Sequence, residues 1–148
     1  MKNRPQKVFL LICTVFCISF IWINSTLPAD ISGSLSGYAE KILKYFFGED
    51  FILSEGIIRK LAHGLEFAFL GTVLSLFTFE RLEKKLSEIC FIGLFTAIFD
   101  ETIQLFSDGR FSSVKDIWID FTGFAAGVAA VFLLKIFIGD AYDRKGKS

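Results

Sequence analysis

Long apolar runs separated by short charged segments dominate this sequence. Residues 8–27 carry no charge, and residues 57–79, 86–106 and 116–138 form three further runs whose charges lie toward their ends. A helix of about 20 apolar residues crosses the ~30 Å hydrocarbon core of a bilayer. The pattern therefore predicts an all-α polytopic membrane protein. Residues 1–148 form one domain with four transmembrane helices and a basic tail at 139–148.

The segment between the first two runs has a weaker, helical periodicity. Leu35, Tyr38, Ile42 and Phe46 recur at helical spacing, with charged residues between them. This spacing predicts a short amphipathic helix at 34–47 that lies on the membrane surface, and a helix packed against the spans is the alternative. The serines that precede the stripe are candidate N-caps, namely Ser32, Ser34 and Ser36.

The distribution of lysine and arginine predicts which way the spans run. Nine basic residues lie in the N-terminal segment, the link between the second and third runs, and the tail, whereas six lie on the other side. Because basic residues favour the cytoplasmic side, both termini are predicted to be cytoplasmic. The first run is long for the apolar region of a signal peptide, which favours a retained span.

This orientation places most of the intramembrane polar residues in one half of the bilayer. They are Arg59, Lys60, His63 and Glu66 in the second span, Asp100, Glu101 and Gln104 in the third, Arg110 in the link that follows, and Asp116 and Asp120 in the fourth. Charged groups inside a membrane are costly and usually pair with one another or serve a function. The arrangement predicts a polar pocket that three helices form and that opens to the outer surface.

Small residues on two of the runs indicate close helix packing. Gly64, Ala68, Gly71 and Ser75 recur at intervals of four, three and four residues on the second run, and the fourth run contains a Gly-x-x-x-Gly pair at 123 and 127. Such stripes let two helix backbones approach closely. The glycine pair fits a dimer contact and a contact with the second span equally well.

Composition excludes several kinds of site. The formal net charge is zero, so bulk charge does not indicate a nucleic-acid partner. The three cysteines lie inside apolar runs and are predicted to be small buried hydrophobic residues rather than a disulfide or metal set. With one histidine and no cysteine outside the apolar runs, a zinc site is disfavoured. No organic cofactor is expected. Carboxylates and a glutamine suit a hard divalent cation, so such an ion is possible.

The order of the polar residues resembles the VanZ-like family over residues 8–138. Three segments carry the resemblance: Lys60-x-x-His63-x-x-Glu66-Phe67, Asp100-Glu101-x-x-Gln104-x-Phe106-x-x-Gly109-Arg110, and Asp116-x-x-x-Asp120-x-x-Gly123-x-x-x-Gly127. Asp120 and Glu66 depart from the family pattern, and both add negative charge. The resemblance implies a bacterial inner-membrane protein. It also implies a link to teicoplanin, because the founding member is associated with low-level resistance to that glycopeptide.

The pocket first suggests binding. Cationic side chains suit an anionic head group, so the expected partner is a membrane lipid or a lipid-linked cell-wall precursor whose binding alters glycopeptide susceptibility. The residues expected to bind it are Arg59, Lys60, Gln104, Arg110, Asp116 and Asp120.

Three other roles fit the same residues. A membrane-embedded enzyme acting on a lipid-linked phosphate needs acid and base groups, and the candidates are His63, Glu66, Asp100 and Glu101. Paired carboxylates inside a span also fit an ion-coupled transporter. In a purely structural role, the charges pair with one another and hold the helices together.

Overall fold

A computed structural model describes residues 4–48 and 53–145, which are helical and contain no strand. The elements in chain order are α1 (Arg4–Ser25), α2 (Ala29–Phe47), α3 (Glu55–Phe77), a 3₁₀ turn (Phe79–Arg81), α4 (Leu82–Gln104) and α5 (Val114–Lys145). The all-α prediction is therefore confirmed for these residues. Each predicted span lies mainly on one helix, and the first three extend two residues past its end. Helix α5 continues beyond residue 138, so most of the segment predicted as a separate tail is helical, while 146–148 lie outside the described residues.

Three of these helices are long and apolar enough to cross a membrane. They comprise Arg4–Ser25, Gly56–Phe77 and Val114–Ile138. Helix α4 has 23 residues, but charged residues lie near both of its ends, which lowers its mean hydropathy. The membrane character of the chain is thus carried by α1, α3 and α5.

Helix α2 begins earlier than predicted. Pro28 occupies the N-cap position and α2 starts at Ala29, so the prediction that Ser32, Ser34 or Ser36 caps the helix is wrong. The fixed φ of proline is compatible with the start of a helix, and it sets this boundary. The serines lie inside the helix, where Ser34 and Ser36 donate their hydroxyls to carbonyls one turn earlier.

The apolar stripe of α2 is not covered by the rest of the protein. Leu35, Tyr38 and Ile42 are 57%, 66% and 58% exposed, whereas Ser36 on the other side of the helix is buried. The small polar side of α2 therefore faces the bundle. Its apolar side is left free, as expected for an amphipathic helix at a membrane surface.

Helices α3 and α5 form the closest contact of the fold. A Cβ built on Gly123 would overlap the backbone carbonyl of Gly64, and one built on Gly127 would overlap that of Ala68. The Gly-x-x-x-Gly pair therefore packs inside the molecule against the small-residue stripe of α3. Phe67 and Phe124 fill the adjoining core and are fully buried.

The cysteines play no covalent role in this packing. Cys17 is buried in the core, Cys13 and Cys90 are partly buried, and all three are free thiols. The predicted burial is therefore confirmed for Cys17, whereas Cys13 and Cys90 are only partly buried.

Candidate functional site

A small cavity lies where α1 and α4 end and α3 and α5 begin, which we call the polar end of the bundle. Its volume is about 90 Å³. Eight of the ten residues predicted from the sequence line it, and these are Arg59, Lys60, His63, Glu101, Gln104, Arg110, Asp116 and Asp120. The other two, Glu66 and Asp100, lie beside it and bind neighbouring side chains.

Asp100 joins α4 to α1. Its carboxylate accepts hydrogen bonds from the hydroxyl of Ser25 and from the side-chain amide of Gln104, the latter at 2.7 Å. Asp100 and Ser25 are fully buried. A buried carboxylate costs free energy unless donors satisfy it, and here each oxygen has one donor. Asp100 is thus fixed in position rather than free to move within the cavity.

Glu101 joins α4 to the start of α5. One of its oxygens accepts the backbone N–H of Ser113 at 2.8 Å, directly before Val114 begins the helix. Backbone N–H groups at a helix start lack partners within the helix, and a carboxylate stabilises them. Ser113 also accepts the Lys115 N–H through its hydroxyl at 3.2 Å. Ser113 therefore contributes to the start of α5 through both its backbone N–H and its hydroxyl.

Arg110 reaches from the α4–α5 link to the end of α1. Its Nη1 donates to the carbonyls of Asn24 and Ser25 at 3.1 and 3.4 Å, which lack the helical N–H four residues on because α1 ends there. Its Nη2 lies 3.4 Å from His63 Nε2. Burial, followed by the neighbouring charge of Arg59, lowers the pKa of the Arg110 guanidinium.

A glycine turn sets the direction of Arg110. Gly109 has a φ of 70°, a left-handed conformation that glycine adopts without strain. Two hydrogen bonds fix the link on either side of it: Ser107 donates its hydroxyl to the Ser25 carbonyl at 2.7 Å, and the Ala29 N–H donates to the Asp108 carbonyl at 3.0 Å. The link is therefore anchored to α1 and α2.

Lys60 and Asp116 form the ion pair at the mouth of the cavity. The Lys60 Nζ lies 2.5 Å from an Asp116 oxygen and joins α3 to α5. The Lys60 side chain is 46% exposed, so solvent screens the pair. Of the predicted cations, Lys60 is thus already neutralised by a carboxylate.

His63 and Glu66 are neighbours but are not hydrogen-bonded. His63 Nδ1 lies 3.8 Å from Glu66 Oε2, beyond hydrogen-bonding distance. Neither atom has a hydrogen-bond partner among the described residues, although both are buried. The other Glu66 oxygen accepts the side-chain amide of Asn24 at 3.0 Å. Each residue of this pair therefore has one ring nitrogen or carboxylate oxygen without a hydrogen-bond partner among the described residues.

One group of side chains has the composition of a metal site. His63, Asp100 and Asp120 each place a ligand-type atom within 4.8 Å of those of the other two. Asp120 is only 2% exposed and takes no hydrogen bond from the described residues. These three can hold a divalent cation only if water or substrate completes its coordination, because Mg²⁺ and Ca²⁺ take six or more ligands.

Two residues of α1 belong to the site although the sequence did not point to them. Asn24 binds Glu66 and Ser25 binds Asp100, so four helices build the polar end rather than the three predicted. Both residues lie in an uncharged run, where no charge marks them. Their position at the end of the first span was the one feature of the sequence that could have indicated a role in the site, since that end meets the charged ends of the other spans.

The comparisons with known proteins give a family but no individual relative. A family model described as VanZ/LLP1 matches residues 9–135, which include every residue of the polar end described above. Neither the search of curated proteins nor that of solved structures found a match. The family match covers most of the chain and confirms the resemblance seen in its polar residues. The chain belongs to the VanZ/LLP1 family.

Proposed function

We propose that this protein binds the phosphate-bearing head group of a membrane lipid, or of a lipid-linked cell-wall precursor, in the cavity at the polar end. The observation that carries the proposal is a pair of arginines without acidic partners. Arg59 and Arg110 both line the cavity, and neither takes part in an ion pair with a carboxylate of the described residues. Two guanidinium groups repel each other, and an anion bound between them is attracted to both and offsets this repulsion.

The lysine of the cavity and two of its three carboxylates already have partners. Asp116 is paired with Lys60, Glu101 accepts a backbone N–H, and Asp100 accepts two side-chain donors. The arginines are therefore the cations left to recognise a ligand. Guanidinium groups bind phosphate through two parallel hydrogen bonds, which favours a phosphate over a simple carboxylate or a neutral sugar.

Asp120 restricts the protonation state of the ligand. Its buried carboxyl group lines the same cavity, and Asp120 and a phosphate repel each other when both are fully ionised. A phosphate that keeps one proton offers oxygen acceptors to the arginines and an O–H donor to Asp120. The cavity volume of about 90 Å³ suits one such group rather than a whole lipid.

The membrane arrangement follows from the same residues. Helix α4 acts as a fourth span, since its outer charges Asp100 and Glu101 are satisfied within the protein instead of facing lipid. Four spans put both termini in the cytoplasm and the polar end at the outer face of a bacterial inner membrane, as the basic residues favour. A head group bound there is withheld from glycopeptides such as teicoplanin, which connects binding to a resistance role.

Binding of short-chain phosphatidic acid to the purified full-length protein in neutral detergent tests the proposal. The wild type should bind it, and Arg110→Gln should bind it about tenfold to a hundredfold more weakly, because a hydrogen bond to a charged group contributes about 1.5–3 kcal/mol. Arg81→Gln is the matched control, since it removes the same charge from an exposed position at the opposite end. Equal affinity in all three proteins would refute head-group binding.

A second function has its own observation. His63, Asp100 and Asp120 lie close enough to act together on a phosphate ester held by the arginines. We propose hydrolysis or transfer at the lipid phosphate as the alternative to simple binding. Mass spectrometry of lipids incubated with wild type and Asp120→Asn separates the two, because only an enzyme changes the mass of the lipid. An unchanged lipid with retained binding excludes the enzyme.

A further inference from the structure

An apolar groove lies between α1 and α3, next to the polar end. It has a volume of about 360 Å³ and is bordered by Phe16, Phe20, Leu65 and Phe69, with Cys17 and Ile21 at its base. The four bordering side chains are between 46% and 71% exposed. In a membrane-spanning bundle such a groove faces hydrocarbon rather than water. Exposure alone does not say what fills it, because every span has side chains exposed to lipid.

The groove and the polar cavity are linked by residues that line more than one cavity. Glu66 borders the groove and also borders a second cavity of about 150 Å³ between α1, α2 and α3. That second cavity shares Arg59 and His63 with the polar cavity. Three adjoining cavities are therefore arranged in a row, from the arginines past His63 and Glu66 to the apolar groove on the lipid-facing side of the bundle.

The order of side chains along α3 matches the order of groups along a lipid. Arg59 and His63 come first, Glu66 follows one turn deeper, and Leu65 and Phe69 border the groove at and below that level. At about 1.5 Å of rise per residue, Arg59 and Phe69 are separated by about 15 Å along the helix. That distance is half of a ~30 Å hydrocarbon core, the depth to which a chain of the outer leaflet extends.

We infer that the groove holds one hydrocarbon chain of the lipid whose phosphate occupies the polar cavity. The ligand is thus a lipid phosphate that enters sideways from the outer leaflet between α1 and α3. Glu66 lies at the junction of head group and chain, where its unpartnered oxygen accepts a hydroxyl of the linking group. This inference rests on the proposed head-group binding and adds to it a specificity for ligands with an attached chain.

Two tryptophan variants on α3 test the groove. Leu65→Trp narrows the groove, whereas Leu61→Trp, one turn earlier on an exposed position, leaves it open. Dissociation constants are measured for short-chain phosphatidic acid and for glycerol 3-phosphate, which has the head group but no chain. Leu65→Trp should weaken phosphatidic acid binding about tenfold, because the tryptophan displaces the chain from its packing contacts in the groove. Glycerol 3-phosphate has no chain, so its binding should be unchanged. Leu61→Trp should change neither.

The outcomes separate the groove from the head-group site. If Leu65→Trp binds phosphatidic acid as tightly as Leu61→Trp does, the groove does not hold the chain, while loss of binding in Arg110→Gln still supports the head-group site. If Leu65→Trp weakens binding and Arg110→Gln does not, the head-group site is wrong, and the inference fails with it because the phosphate then lies outside the polar cavity. Equal weakening of both probes by Leu65→Trp would also overturn the inference, because the groove then affects binding independently of an attached chain.

Discussion

The contact between α3 and α5 makes a sharp prediction, because its two glycines are not equivalent. A Cβ on Gly123 would overlap backbone atoms of Gly64, whereas a Cβ on Gly64 meets no atom within 4 Å. Gly123→Ala and Gly64→Ala therefore add the same methyl group to the two sides of one contact. The first should separate the helices, and the second should leave them in place.

The expected magnitude follows from two opposing effects. Adding a methyl group to a tightly packed contact costs about 1–3 kcal/mol, and the upper value applies here because the obstacle is a backbone carbonyl that cannot rotate away. Replacing glycine by alanine inside a helix gains up to about 1 kcal/mol. Gly123→Ala should therefore lower the free energy of unfolding by about 2 kcal/mol. Gly64→Ala adds no overlap, so only the helix-propensity gain remains, and the free energy of unfolding should rise by up to about 1 kcal/mol.

Unfolding in mixed micelles by titration with sodium dodecyl sulfate, followed by circular dichroism, measures this difference. A second readout is phosphatidic acid binding, which Gly123→Ala should also weaken although Gly123 does not line the cavity. Separation of α5 from α3 moves Asp116 and Asp120 away from their neighbours on α3. Equal stability of the two alanine variants would refute the reasoning, and so would a larger loss in Gly64→Ala.

Two further predictions concern side-chain contacts at the polar end. Ser25→Ala removes a donor from the buried Asp100 carboxylate and should lower the free energy of unfolding by about 1–3 kcal/mol. Ser19→Ala, at an exposed position of the same helix, should change it by less than about 0.5 kcal/mol, and equal losses in the same micelle titration would contradict the assigned hydrogen bond. A double-mutant cycle with Lys60→Met and Asp116→Asn should give a coupling below about 1 kcal/mol, because the lysine is 46% exposed. A coupling above about 3 kcal/mol would instead mean that the pair is buried.

Most of the fold was predictable from the sequence because membrane spans carry strong signals. Length and apolarity locate α1, α3 and α5. Helix α4 has charged ends, but its length is still recognisable from the sequence. The start of α2 was less predictable, since three serines with good capping chemistry competed with one proline. Proline set the boundary because its fixed backbone angle acts regardless of which side chains follow.

The composition of the site was predictable, but its pairing was not. Polar and charged residues at the ends of three spans and in the link between two of them marked the polar end, and the structure gathers eight of the ten around one cavity. The partners of Glu66 and Asp100 were unexpected, because Asn24 and Ser25 are uncharged and lie in another run. Sequence spacing shows which residues share a helix face, whereas partners on other helices depend on the rotation of each helix in the bundle.

The distance between a bound phosphate and the two arginines tests the central claim most directly. Solid-state nuclear magnetic resonance with guanidinium nitrogens labelled and phosphatidic acid bound gives this phosphorus–nitrogen distance, and Arg59→Lys and Arg110→Lys assign the signals. A charge-assisted bond of about 2.8 Å between nitrogen and oxygen places the phosphorus about 4 Å from both guanidinium groups. Contacts to both arginines, lost one at a time in the two variants, are the predicted result. A phosphate near neither of them, or near exposed Arg81 instead, would contradict the account.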